Sequence, residues 1–146
     1  MEPLDLTRRP PRGPREQLLG LAFMPRTIDK ICAQLPGGNL GGYVVDLPHG
    51  VSVYLLKKIN VDLAELKAVV ARAADETEVA AWLADHADLS DIAGVNARLE
   101  SLTIDRLRPH DRALVEAYHP ILRERSDLHF FFDIFEADDA LLATRR

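Results

Sequence analysis

Apolar residues recur at helical spacing along most of the chain. Ile28, Ile31, Cys32 and Leu35 fall at i, i+3, i+4 and i+7 and form one stripe, behind Pro25 at a permitted first-turn position. The same spacing leaves Arg26, Asp29 and Lys30 off that stripe, with Arg26 and Lys30 one turn apart. Val51, Tyr54, Leu55 and Lys58 trace a second short helix. Asp62 with Glu65, and Asp75 with Glu78, read as capping boxes ahead of apolar positions that include Leu66, Val70, Val79, Trp82 and Leu83. Ser90 is the expected cap of a helix carrying Ile92, Val95 and Leu99, and residues 111–118 continue in that style until Pro120 breaks it.

The two ends depart from this rhythm. Pro3, Pro10, Pro11 and Pro14 keep residues 1–14 out of a helix, so they read as an extended arm on a single helical domain spanning 15–146. A helix is expected to open at Pro14, with Leu18, Leu19 and Ala22 along one side. Residues 36–42, within LPGGNLGGY at 35–43, concentrate four glycines and an asparagine between Leu35 and Tyr43, which marks a structured turn. Leu128 to Phe135 is dense enough in aromatics for a strand, but its acidic flank favours a helix. Strand signals elsewhere are short, at 43–45 and 51–54. The fold class is all-α.

Composition narrows the function classes. At 146 residues, 47% hydrophobic and 28% charged, the chain suits one soluble globular core. A net charge of −5 argues against nucleic acid, and no apolar run approaches the ~20 residues that span a bilayer. The first residues do not read as a signal peptide, so a cytoplasmic protein is the expectation. Charge is uneven: residues 1–30 carry net +2 and residues 60–105 net −7, which suits a basic arm lying on an acidic body.

LDLTRRPPRGPRE at 4–16 and MPRTIDKICAQLPGGNLGGY at 24–43 resemble hallmark segments of a group of small bacterial proteins, domain of unknown function 5069. Trp82–His86 and the helix start at 89–92 are looser matches, so the resemblance covers most of the chain. It implies one domain and no particular activity.

Arg26, Asp29, Lys30, Asn39 and Tyr43 form the main candidate site. Two cations one turn apart, followed by glycine N–H groups, suit phosphate or carboxylate, with Tyr43 as a hydrogen-bond donor. Asp29 or Asp46 would be the nearest acid–base group if a reaction occurs. The turn lacks the ending of a phosphate loop and follows no buried strand. On the competing structural reading, Gly37 and Gly38 cap the helix, Asn39 bonds its own backbone, and Arg26 pairs with Asp29 at the surface. On the ligand reading, Arg26→Ala should leave the melting temperature nearly unchanged while abolishing ligand stabilisation; unfolding would instead mark Arg26 as a structural strut and weaken the pocket reading.

Other residues carry less. The five histidines show no metal-ligand spacing, and neither metal nor cofactor is expected. Cys32 sits on the apolar stripe and reads as core, as does Trp82. No serine stands in a nucleophile elbow. Phe130, Phe131 and Phe132 cannot all face inward on one helix, so one must meet another element, a partner or water. Two functions follow: a pocket for a small anionic ligand, or an interaction module or homo-oligomer using the basic arm and the Phe130–Phe132 patch.

Overall fold

The computed structural model describes residues 1–144. It is mostly helical: α1 Met24–Ala33, α2 Val51–Lys58, α3 Leu63–Arg72, α4 Glu76–His86, α5 Ile92–Glu100, α6 Pro109–Tyr118 and α7 Phe131–Thr144. A 3₁₀ turn at Pro120–Arg123 follows the break at Pro120. A small antiparallel hairpin, β1 Gln17–Leu18 with β2 Leu21–Ala22, precedes α1.

That hairpin replaces the helix expected from Pro14. Leu19 and Gly20 both adopt positive φ, 53° and 80°, which is the backbone of a tight two-residue hairpin turn. A two-residue strand is too short to show alternation, so the periodicity could not reveal it. Asn96 of α5 holds the hairpin from outside, accepting from the Ala22 N–H at 2.9 Å and donating to the Gly20 carbonyl at 2.7 Å.

Both acidic caps form as expected. Asp62 accepts from the Glu65 N–H and Asp75 from the Glu78 N–H. The cap of α5 is Asp91, not Ser90: Asp91 accepts from the Gly94 N–H, while Ser90 donates to Asp88. The segment at 128–135 divides. His129 and Phe130 run extended beside Thr103 and Ile104, and the helix begins at Phe131.

The main core joins α1–α5 to the start of α7, with Phe23, Ile28, Leu55, Leu66, Leu83 and Phe132 among its buried residues. Ile104, Ile121, Leu128 and Ile134 form a smaller cluster, and Phe131 packs against both. The arm is not loose. Its Leu6 is buried, and Asn39 pairs with it through Leu6 N–H to Asn39 carbonyl and Asn39 N–H to Leu4 carbonyl, each 2.8 Å. Arg12 of the arm pairs with Asp29 of α1 and Glu76 of α4, and Arg15, just past the arm, pairs with Asp133 and Glu136 of α7.

Candidate functional site

Helix α1 has no exposed face: all ten of its residues are buried. Its apolar stripe faces the main core, and its polar side is covered by the arm and by α7. Phe23, just ahead of it, is fully buried at φ 69°, an unusual conformation for a bulky residue. Its ring lies between Phe132 and Phe135, with centroids 5.7 and 5.6 Å away. The guanidinium of Arg26 and the amine of Lys30 approach the same ring at 5.9 and 5.1 Å.

Arg26 is only 2% exposed and meets Asp139 of α7 in a two-point pair. Nη1 donates to Oδ2 at 2.6 Å and Nη2 to Oδ1 at 3.2 Å. Nη1 also donates to the Arg12 carbonyl. Tyr43 closes the group: its hydroxyl donates to Asp139 Oδ1 at 2.9 Å, and its ring lies 5.5 Å from the guanidinium carbon. Among the described residues, Arg26 Nε is a buried donor without an acceptor.

Lys30 is 7% exposed. Among the described residues its Nζ has no hydrogen bond and no ion pair, only the Phe23 ring beside it. Burial pushes its pKa down to about 7; the nearby Arg26 charge pushes the same way and Asp139 partly opposes it. Tyr43 moves up, through burial and the Asp139 carboxylate, and so keeps its proton as a donor.

Of the five candidate residues, the structure brings Arg26, Lys30 and Tyr43 together. Asp29, equally buried, belongs to a separate cluster. Arg12 of the arm grips its carboxylate with Nη2 at 2.9 Å and its own backbone N–H at 2.8 Å, and reaches Glu76 of α4 at 2.5 Å. Arg26 therefore does not pair with Asp29 at the surface; each is buried against a partner from a different segment. Asn39 is exposed, and its side chain accepts from the Gly41 N–H, bonding its own turn. The N–H groups of Gly38, Asn39, Gly41 and Tyr43 are all taken by Leu35, Leu4, Asn39 and Leu40. Asp46 is exposed beside Lys67.

Asp139, Phe23 and Phe135 are the functional candidates that sequence reasoning missed. A signal existed: Phe132, Phe135 and Asp139 stand at i, i+3 and i+7, which puts a carboxylate on an aromatic stripe. Nearby, His119 Nδ1 pairs with Asp138, and the His119 ring leans on Phe135 at 5.4 Å.

A surface cleft of about 360 Å³ lies elsewhere, against Arg9, Arg12, Asp29, Cys32 and Glu76. Its Arg12 is already saturated by carboxylates, and burial pushes the Cys32 thiol up to about 11, so it holds no thiolate at neutral pH. Among the described residues, the buried donor without an acceptor, Arg26 Nε, is in the Lys30 cluster.

No curated protein matches the chain. Residues 8–141 match the family described as Domain of unknown function (DUF5069), nearly the whole length and including every residue of the Lys30 cluster, and the chain belongs to that family.

Proposed function

We propose that this protein binds a small anionic ligand at the buried cluster of Arg26, Lys30 and Tyr43. One observation carries the reading: Lys30 is more than nine-tenths buried, yet among the described residues its amine has no hydrogen bond and no ion pair, and Asp139 acts on it only from a distance. Burying an ammonium without a partner is costly, and such groups are retained where something else supplies the missing charge. A carboxylate or phosphate supplies it. The same anion can accept from Arg26 Nε, the second unmet donor.

Asp139 holds Arg26 and Tyr43 in place, and the ligand adds to this frame without displacing it. The LPGGNLGGY turn serves the site by delivering Tyr43, since most of its N–H groups are already engaged.

The test is calorimetric titration with phosphate and small carboxylates at pH 8, in two buffers of different ionisation enthalpy. An anion beside Lys30 favours the ammonium, so binding takes up a proton and the observed heat depends on the buffer. Lys30→Met abolishes both the binding and that dependence. Absence of binding across the panel, or equal binding by Lys30→Met, removes the reading.

A further inference from the structure

We propose that the outward face of α6 is a self-association surface, and that its occupant is the α6 of a second copy of this chain, packed antiparallel to it. The surface is independent of the anion site.

α6 has no buried residue among its ten. Its inner side, Asp111 and Val115, is half-buried, and Val115 packs on the smaller cluster around Ile104 and Ile121. A helix lying on a core ordinarily gives its outer side to charge. Here His110, Ala113, Leu114, Ala117 and Tyr118 are all exposed, and they stand at i, i+3, i+4, i+7 and i+8 on one face. Leu114 and Tyr118, at 44% and 43%, are two of the four exposed large apolar side chains among the described residues. Arg112 and Glu116 lie off that face and pair with each other one turn apart. Nothing among the described residues covers the stripe.

Its pattern is self-complementary. Leu114 and Tyr118 run along one side of the stripe, Ala113 and Ala117 along the other. Two antiparallel helices related by a two-fold axis bring like side to like side. Leu114 then meets the partner's Tyr118, and Ala113 meets the partner's Ala117, each contact occurring twice. These two pairings are centred at residues 116 and 115, so one axis serves both. The alanines let the backbones approach closely, which brings the leucine and tyrosine side chains together.

Charge selects a second copy and the antiparallel direction. Arg106 and Arg108 stand exposed ahead of α6, at the end whose dipole is positive, and neither has an ion pair among the described residues. The last turn, where the dipole is negative, holds no basic residue, and Arg123 and Glu124 beyond it cancel. Each copy thus carries the positive charge that the other's helix end lacks. Residues 105–127 balance five arginines against five acids, in a chain whose net charge is −5. Two copies meeting here avoid the like-charge repulsion that their acidic parts would impose elsewhere.

One short helix pair buries far less than the ~800 Å² per partner of a standard interface, so the association is weak. The experiment is sedimentation velocity on the full chain from about 5 to about 500 µM. The expected result is a weight-average mass that rises from 16.3 kDa toward twice that value with concentration. Leu114→Glu and Ala117→Glu, both at exposed positions, weaken the association at least about tenfold with unchanged circular dichroism. Arg108→Glu weakens it about threefold; an acid there favours α6 in the monomer, so unfolding cannot account for the loss. Phe130→Glu, at a side chain 42% exposed but outside α6, leaves it unchanged. A monomer at every concentration overturns the proposal and leaves the stripe to a different protein or a membrane. Association lost in Phe130→Glu and kept in Leu114→Glu puts the interface on the other patch and overturns it equally. An effect of Leu114→Glu with none of Arg108→Glu overturns the antiparallel direction.

Discussion

Arg26 and Asp139, 113 residues apart in sequence, meet as a buried two-point ion pair that ties α1 to α7. The guanidinium is ringed by Phe23, Tyr43 and Phe135 and has almost no water to fall back on, while the Asp139 side chain keeps 13% exposure. Removing one partner of such a pair strands the other. Asp139→Ala and Arg26→Ala are each expected to cost about 3–5 kcal/mol. The double replacement Arg26→Met with Asp139→Leu should recover much of that loss, because no unpaired charge remains. Urea denaturation of the four proteins measures both effects. A melting temperature unchanged in Arg26→Ala, as the ligand-site reading of the sequence expected, would contradict the pairing.

Arg12 is the corresponding tie between the arm and the body. One guanidinium serves Asp29 of α1, Glu76 of α4 and the Pro25 carbonyl. Arg12→Ala leaves the buried Asp29 carboxylate without its main partner and should cost about 2–3 kcal/mol. Arg12→Lys should recover only a small part, since an ammonium cannot reproduce the planar fork that meets two carboxylates. The urea midpoints of the two variants decide this; a lysine variant as stable as the parent would show that charge alone matters.

These two pairs also explain where sequence reading stopped. Helical periodicity found α1 and the inward face of Ile28, Ile31 and Cys32, and the Asp62 and Asp75 caps followed from local spacing alone. It placed Arg26, Asp29 and Lys30 only off the apolar stripe, as a ligand site or a surface pair, because a helix wheel sorts residues by polarity and carries no account of what covers the polar side. The cover comes from residues far along the chain, Arg12 on one flank and Asp139 on the other. Asp139 itself looked like one more acid at a solvated helix end. The Phe130–Phe132 run was legible as a conflict and resolves simply: Phe130 is 42% exposed, Phe131 bridges the two clusters and Phe132 is core. Phe131→Asp is therefore expected to disturb the fold, and an interface test belongs on Phe130.

The glycine-rich turn offers a contrast between neighbours. A Cβ at Gly38 would lie 2.5 Å from the Ala33 carbonyl oxygen and 2.8 Å from its carbon, a clash with the backbone that ends α1. At Gly42 a Cβ would meet nothing within 4 Å. Gly38→Ala is expected to cost about 1–3 kcal/mol, and Gly42→Ala to fall within about 0.5 kcal/mol of the parent. Thermal denaturation of both variants checks the difference. Equal effects would mean that the turn adapts freely and does not position Tyr43 rigidly.

Lys30 gives the fold a pH dependence whose sign can be worked out. Its folded-state pKa of about 7 lies below the ordinary value of 10.5 that it regains on unfolding. Between those two values the unfolded chain holds a proton that the folded chain lacks, so stability contributed at this site rises with pH. The penalty for burying the amine is complete below pH 7 and fades as pH approaches 10.5. The groups facing it do not reverse that sign. Arg26 stays charged, and Tyr43 is raised above its usual 10, so it keeps its proton through the window. Lys30→Met removes the titrating group and keeps an unbranched side chain. The variant should be more stable than the parent at pH 6, with the gap narrowing steadily by pH 9.5. Urea denaturation of both proteins at constant ionic strength measures the gap, and a gap independent of pH would show that Lys30 is not a buried amine of low pKa. A bound anion should act against the slope: by favouring the ammonium it raises the folded-state pKa, so saturating ligand flattens the parent's curve and leaves that of Lys30→Met untouched.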